Sequence, residues 1–201
     1  MVIAYVGAGG KTTLLKRHAQ AFRKQGLKVF VTTSTLMFIE EDTLLSDDPE
    51  IIRNRLEETG YAMAGLRRGE KIAPLSEVVY NEICRHADVV LVEADGSRHM
   101  PVKLPREGEP VIYDNVDEII VVCGLRALGR PAREVCQRLE LVKDFLDIED
   151  ETILTAGHIC RMVMEGYVHP LRRKYPDKRI RVHPVHDDSP EQIALAARLQ
   201  V

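Results

Sequence analysis

Val6-Gly7-Ala8-Gly9-Gly10-Lys11-Thr12-Thr13 lies between an apolar run, Val2 to Val6, and an amphipathic stretch that begins at Leu14. Strand, glycine loop and helix in that order are the build of a phosphate-binding P-loop. Glycines let consecutive backbone N–H groups turn inward without a Cβ clash, and the following helix aims its positive dipole end at the anion. The candidate nucleotide-binding residues are therefore Gly7, Ala8, Gly9, Gly10, Lys11, Thr12 and Thr13. Lys11 would reach the β/γ-phosphates of ATP or GTP as a mobile point charge, and the Thr12 hydroxyl would complete the shell of a Mg²⁺ ion. The bland alternative is an ordinary strand-to-helix turn with a lysine at the helix N-terminus.

The loop departs from G-x-x-x-x-G-K-[ST], because Tyr5 stands where that pattern has its first glycine. Its short form, G-x-G-G-K-T-T, is similar to the loop of Mur-type ligases as much as to that of GTPases. Val6 occupies the position where deviant loops of the MinD type carry a lysine. A mechanism that lends that lysine across a dimer is not expected.

With 201 residues, 45% of them apolar, the chain can bury one substantial core, so a single nucleotide-binding domain over residues 1–201 is expected. A net charge of −3 with intermixed signs gives no basic stripe, and six Tyr, four Phe and no Trp give no stacking platform, which argues against nucleic acid. No apolar run reaches membrane-span length and no signal-peptide pattern opens the chain, so a cytoplasmic protein without membrane contact is expected. Cys84, Cys123, Cys136 and Cys160 form no C-x-x-C pair, which disfavours both disulfides and a zinc knuckle. Reduced thiols are expected, with Cys123 and Cys160 in apolar surroundings.

Apolar, β-branched runs alternate with helical patterns, the signature of a P-loop NTPase-like α/β fold with a mainly parallel sheet flanked by helices. Strands are predicted at Val2 to Val6, Lys28 to Thr32, Asp88 to Glu93, Glu118 to Cys123 and Arg179 to Val185. Helices are predicted over 11–25, over 49–58 behind Asp48-Pro49, from Ser76 to about Arg85, near Pro131, over 150–165, and after a capping box at Ser189-Pro190-Glu191-Gln192. Tyr61 to Ala73 reads as a short hairpin, and Gly96 to Asn115, with three prolines, as a long structured loop.

P-loop chemistry needs an acid at a neighbouring strand tip to hold Mg²⁺ or orient the nucleophile. Glu93 and Asp95 alternate onto one side if their strand continues, and Gly96 permits a sharp turn there; either acid alone can instead cap the loop. Thr32, Thr33, Ser34 and Thr35 leave the carboxyl end of the second strand, the ligand edge of such sheets, with Thr33 and Thr35 as candidate phosphate or substrate contacts. Internally satisfied hydroxyls are the equal alternative. Arg98, His99 and Lys103 follow the acids and would bind an anionic substrate or transition-state charge, unless they are solvated loop charges. Arg98 is thus the candidate catalytic cation beside Lys11, Glu93 and Asp95.

A guanine-reading N-K-x-D would fall at Pro184-Val185-His186-Asp187, where only the Asp remains, so the base is undetermined. His183, His186, Asp187 and Asp188 also form a weak metal-binding pattern.

Taken in order, VGAGGKTTLL, VTTSTLM, VLVEADGSRHMPVKLP, EPVI, VVCGLRALGRP and QRLE resemble the YqeC-like family over most of residues 1–145. Family members commonly carry His-Arg where this chain has Gln137-Arg138, and residues from about 152 diverge more strongly. The resemblance implies a nucleotide-dependent role in equipping a selenium-dependent molybdenum hydroxylase, through sulfuration, selenation or insertion of its cofactor. The hydroxylase, or its cofactor-loading machinery, is the implied partner. The expected function is Mg²⁺-dependent nucleoside triphosphate binding and hydrolysis coupled to that maturation. Alternatives are a small-molecule kinase or ATP-dependent ligase, or a non-catalytic nucleotide switch.

Overall fold

The computed structural model describes residues 1–96, 100–187 and 189–200. They form two compact units, one of residues 1–5, 12–96 and 111–117, the other of residues 6–11, 100–110 and the described part of 118–200.

The first unit carries β1 (Val2–Gly7, its last two residues belonging to the second unit), α1 (Lys11–Lys24), β2 (Val29–Thr33), β3 (Met37–Phe38), β4 (Thr43–Leu44), α2 (Pro49–Thr59), β5 (Tyr61–Ala64), β6 (Leu66–Arg68), β7 (Lys71–Ala73), α3 (Glu77–His86) and β8 (Val89–Glu93). Five strands pair in parallel in the order β1-β8-β2-β5-β4. β8 is buried at every residue, which a parallel strand covered on both faces requires and which explains its unbroken Val-Val-Leu-Val run. Each such side chain stabilises the fold by roughly 1.5–3 kcal/mol. Tyr5 and Thr33 lie in register on either side of Glu93, so the ends of β2 and β8 meet beside β1 at that acid.

Local chemistry sets the helix limits. Asp48 accepts the Glu50 N–H at 2.9 Å, Pro49 occupies the first turn, and Gly60 closes α2 at φ +68° with its N–H on the Leu56 carbonyl. Ser76 caps α3 through the Val79 N–H. The hairpin differs from expectation: β5 joins the parallel sheet beside β2, and the antiparallel pair is β6 with β7, flanked by β3.

The second unit continues with β9 (Val102–Lys103), β10 (Glu118–Gly124), α4 (Ala132–Val135), β11 (Cys136–Gln137), α5 (Leu139–Leu146), α6 (Ala156–Val163), a π-helical turn (Met164–Val168), α7 (His169–Lys174), β12 (Arg179–Val185) and α8 (Pro190–Arg198). β10 and β12 pair in parallel from Glu118↔Arg179 to Gly124↔Val185, giving seven strands paired in parallel when both units are counted. The expected α/β class and mainly parallel sheet are therefore observed.

Several boundaries shift for physical reasons. The helix expected from 150 starts at Ala156, because 150–154 pairs by backbone with 129–133: Ala132 and Arg133 donate to Thr152 and Asp150, and Leu154 donates to Arg130. Thr155 and His158 then make the capping box. Near Pro131 only one helical turn forms, and α5, which was not anticipated, follows it. The long proline-containing loop holds the two-residue strand β9, paired with β11. Ser189 makes no side-chain cap bond; Gln192 bonds Asp187 instead.

Candidate functional site

In the second unit the glycine loop is fixed by what surrounds its backbone. Gly7, Gly9 and Gly10 have φ of +89°, +81° and +130°. A Cβ on Gly7 would stand 2.1 Å from the Val122 oxygen, and one on Gly9 would stand 2.4 Å from the Pro101 oxygen and 2.5 Å from Gly124 Cα. Both dihedral and space therefore demand glycine. The Ala8 N–H donates to the Val122 carbonyl at 2.9 Å, so Ala8 anchors the loop to β10. Lys11 is buried at 1% exposure, and its Nζ donates to the Gly7 carbonyl at 2.7 Å. Beneath the loop a cavity of about 10 Å³, lined by Gly7, Ala8, Lys103, Cys123 and Tyr167, has room for about one water.

In the first unit Thr12, the next residue in the chain, donates its hydroxyl to Glu93 Oε2 at 3.0 Å. Glu93 is the last residue of β8; Asp95 follows in a bend, fully buried, so the strand does not continue through both acids. Gly96 lies outside the positive-φ region, and a Cβ there would meet nothing nearer than the Leu36 oxygen at 3.9 Å, so this turn does not demand glycine. The oxygens of Thr12 and Glu93 are hard donors of the kind Mg²⁺ takes, alongside phosphates and waters. Among the described residues no three His, Cys, Asp or Glu side chains group to hold a metal, so ligand oxygens and water would supply most of such a shell.

The hydroxyl cluster divides. Thr32 donates to the Ala64 carbonyl, Thr33 to the Glu93 carbonyl at 2.8 Å, and Ser34 to the Val111 carbonyl. These three hydroxyls are spent on holding strand ends together. Thr35 uses its N–H on Thr33 Oγ1, but its own Oγ1 is buried with no hydrogen-bond partner. Such a group costs free energy unless something occupies it. Thr13 is exposed on α1.

Lys103, in the second unit, is buried and lies 3.5 Å from Glu109. Glu109 also takes a bidentate pair from Arg138 at 2.6 and 2.8 Å, and Arg106 at 3.0 Å. Burial pushes the Glu109 carboxyl up, but the Arg138 hydrogen bonds and the charges of Lys103, Arg138 and Arg106 outweigh it and hold the group below its ordinary value. Sequence reading missed this network, since Glu109 and Arg138 are far apart in the chain. Arg98 and His99 lie outside the described residues, as does Asp188. Asp187 is occupied by the Ser189 N–H and Gln192, and the Ser189 backbone hydrogen bond is the main cause of its lowered pKa. All four cysteines are free thiols, and burial, with Cys160 nearby, pushes Cys123 up to about 12, which makes it a poor nucleophile.

The family described as YqeC protein matches residues 3–140. The chain belongs to the YqeC family. YqeC of Escherichia coli (strain K12) is 33% identical over 174 residues, covering 81% of this chain and 67% of that protein. Among solved structures, a chain of the MinC:MinD cell division protein complex of Aquifex aeolicus is 15% identical with a TM-score of 0.38, over 99% of this chain and 86% of that one. No helix among the described residues is long and apolar enough to cross a membrane.

Proposed function

We propose that this YqeC-family chain binds a Mg²⁺–nucleoside triphosphate and hydrolyses it, in the service of maturing a molybdenum hydroxylase. The observation that carries the nucleotide reading is the pair of consecutive residues Lys11 and Thr12. Lys11 is buried on a glycine-locked loop, and the Thr12 hydroxyl is bonded to a strand-tip carboxylate at 3.0 Å. The maturation role rests on the family resemblance alone.

Lys11 would exchange the Gly7 carbonyl for the β/γ-phosphate oxygens, gaining a charged acceptor for a neutral one. Thr12 and Glu93 would hold Mg²⁺ through oxygen, with Asp95 as the further acid of the tip. The ion, when bound, would supply neutralisation of phosphate charge. Thr35 would give its buried hydroxyl to a phosphate or to water, and Arg98 would place positive charge on the transferred group.

A thermal-shift panel of ATP, GTP and their diphosphates with and without Mg²⁺, alongside phosphate release, tests this. A triphosphate with Mg²⁺ is expected to raise the Tm by mass action. Lys11→Ala should weaken that ligand about ten- to a hundredfold, since a charged hydrogen bond contributes roughly 1.5–3 kcal/mol. Glu93→Gln should keep nucleotide binding while losing Mg²⁺-dependent turnover. Basal hydrolysis should be slow and rise when a molybdenum hydroxylase or its loading machinery is added. Failure of every nucleotide to shift the Tm would remove the nucleotide reading; rapid turnover indifferent to the hydroxylase would remove the maturation role.

A further inference from the structure

The chain is acidic overall, yet residues 172–181 hold six Lys or Arg and one Asp. The charge intermixing noted for the whole chain thus conceals one local basic run, because an average does not see where a helix ends. Arg179 and Arg181 are spent on Glu118 at the start of β10. Arg172, Arg173 and Lys174, the last turn of α7, are exposed, and among the described residues no carboxylate lies within 4.0 Å of any of them. Cations at a helix C-terminus do offset its dipole. That effect accounts for their sign but not for what stands beside them.

A cavity of about 70 Å³ opens next to this turn, walled by Pro105, Pro110, Pro170, Leu171 and Tyr175, with Lys174 also on its lining. Its carboxylate, Glu109, is already held by Arg138 and Arg106, and the Lys174 ammonium meets the face of the Tyr175 ring, 5.2 Å from its centroid, rather than a carboxylate. Another wall is the π-helical turn, a distortion that often marks a functional site. Gly166 in that turn leaves room for Leu104, whose Cδ2 would stand 2.5 Å from an added Cβ.

We propose that α7 and this cavity form a docking surface for an acidic protein segment, which seats one aliphatic side chain in the cavity and lays its carboxylates along Arg172, Arg173 and Lys174. The charge complementarity names an acidic partner, and the proline and leucine walls name the anchor. A nucleic acid fits less well: Arg172, Arg173 and Lys174 occupy a single turn at the end of the helix, only about 5 Å along its axis, too short to track a run of phosphates. A lipid surface fits less well because Leu171, the one large apolar side chain of α7, is buried. The inference is independent of the nucleotide reading.

Fluorescence anisotropy with a labelled peptide of Glu and Asp around a central Leu tests it on the intact chain. Binding should weaken severalfold as salt rises from about 50 to 300 mM, as screening of surface charge requires. It should fall at least tenfold when the acids become Gln and Asn, or when the Leu becomes Gly. Arg173→Glu with Lys174→Glu should also cost at least tenfold, while the exposed neutral pair Arg172→Gln with Arg173→Gln gives a smaller loss; circular dichroism and Tm check that both fold. Lys11→Ala should leave this binding unchanged. No binding of the acidic peptide, equal binding of the uncharged one, or indifference to both double variants would overturn the proposal. So would tighter capture of a short oligonucleotide or of phosphatidylserine vesicles at the same residues.

Discussion

Lys11 and Lys103 are both buried in the second unit, at 1% and 3% exposure, and they bond different kinds of acceptor. Lys11 gives its ammonium to a loop carbonyl, a neutral acceptor that a phosphate outcompetes. Lys103 faces Glu109, and Glu109 is itself fixed by two arginines. A lysine on a carbonyl can be recruited by an arriving anion; a lysine locked to a carboxylate can leave only at the cost of a buried ion pair. Under the nucleotide reading Lys11 would be the tool and Lys103 the fastener.

What keeps Lys11 in its place is backbone geometry, so the most damaging change should be to the loop rather than to the lysine. Gly9→Ala puts a Cβ 2.4 Å from a carbonyl oxygen at φ +81°, and should lower stability by about 3 kcal/mol or more in urea melts. Gly26→Ala, at a similar φ of +79° but with nothing within 4 Å, should cost only about 1–2 kcal/mol. Equal costs would mean that dihedral strain alone, without close packing, selects glycine in the loop.

The contrast between the lysines can be broken directly. Lys103→Met should lower ligand-free stability by about 2–3 kcal/mol, somewhat less than removal of one member of an isolated buried pair, because Arg138 and Arg106 remain on Glu109. Lys11→Met should instead act mainly on the Tm increment that a triphosphate produces. If the two variants exchanged these signatures, the assignment of tool and fastener would be reversed.

Acid should loosen the fastener and not the tool. A carboxyl whose folded pKa is lowered contributes stability that is fully present above its unfolded value, about 4.3, and that is lost as pH falls through the folded value. Glu109 is such a group, held down chiefly by Arg138 against the opposing effect of burial. Stability should therefore decline below about pH 4.5, and Glu109→Gln should flatten that decline while lowering stability at neutral pH. An unchanged acid profile in Glu109→Gln would place the proton-linked stability elsewhere.

How legible these features are in sequence depends on the distance over which they are made. β8 and β10 are evident because a strand buried on both faces must read as a continuous apolar run, as Val89 to Val92 and Ile119 to Cys123 do. The loop glycines are evident because a tight turn with positive φ demands them, and Glu93 and Asp95 because they close an apolar run. By contrast, residues 150–155 have a helix-compatible composition, and a turn at 149–152 with backbone pairing to 129–133 holds them out of the helix. The same limit hides the partners of the hydroxyl cluster, which lie 32, 60 and 77 residues away at Ala64, Glu93 and Val111. No local pattern separates a threonine that ties strands together from one held open for a ligand.

The smallest effect expected concerns that separation. Thr33→Val removes a hydroxyl that serves both the Glu93 carbonyl and the Thr35 N–H, and should destabilise the chain by about 1–2 kcal/mol. Thr35→Val removes one that is buried and pays nothing back in the ligand-free chain, so it should raise ligand-free stability by about 1 kcal/mol. If Thr35 serves a bound phosphate or its water, the same substitution should weaken the Mg²⁺–triphosphate by roughly three- to tenfold, an amount of about 1 kcal/mol. Opposite signs in the two assays are the mark of a group kept unsatisfied for a ligand. A variant neutral in both would show that Thr35 Oγ1 serves no ligand, and the β2 exit would then serve the strand ends alone.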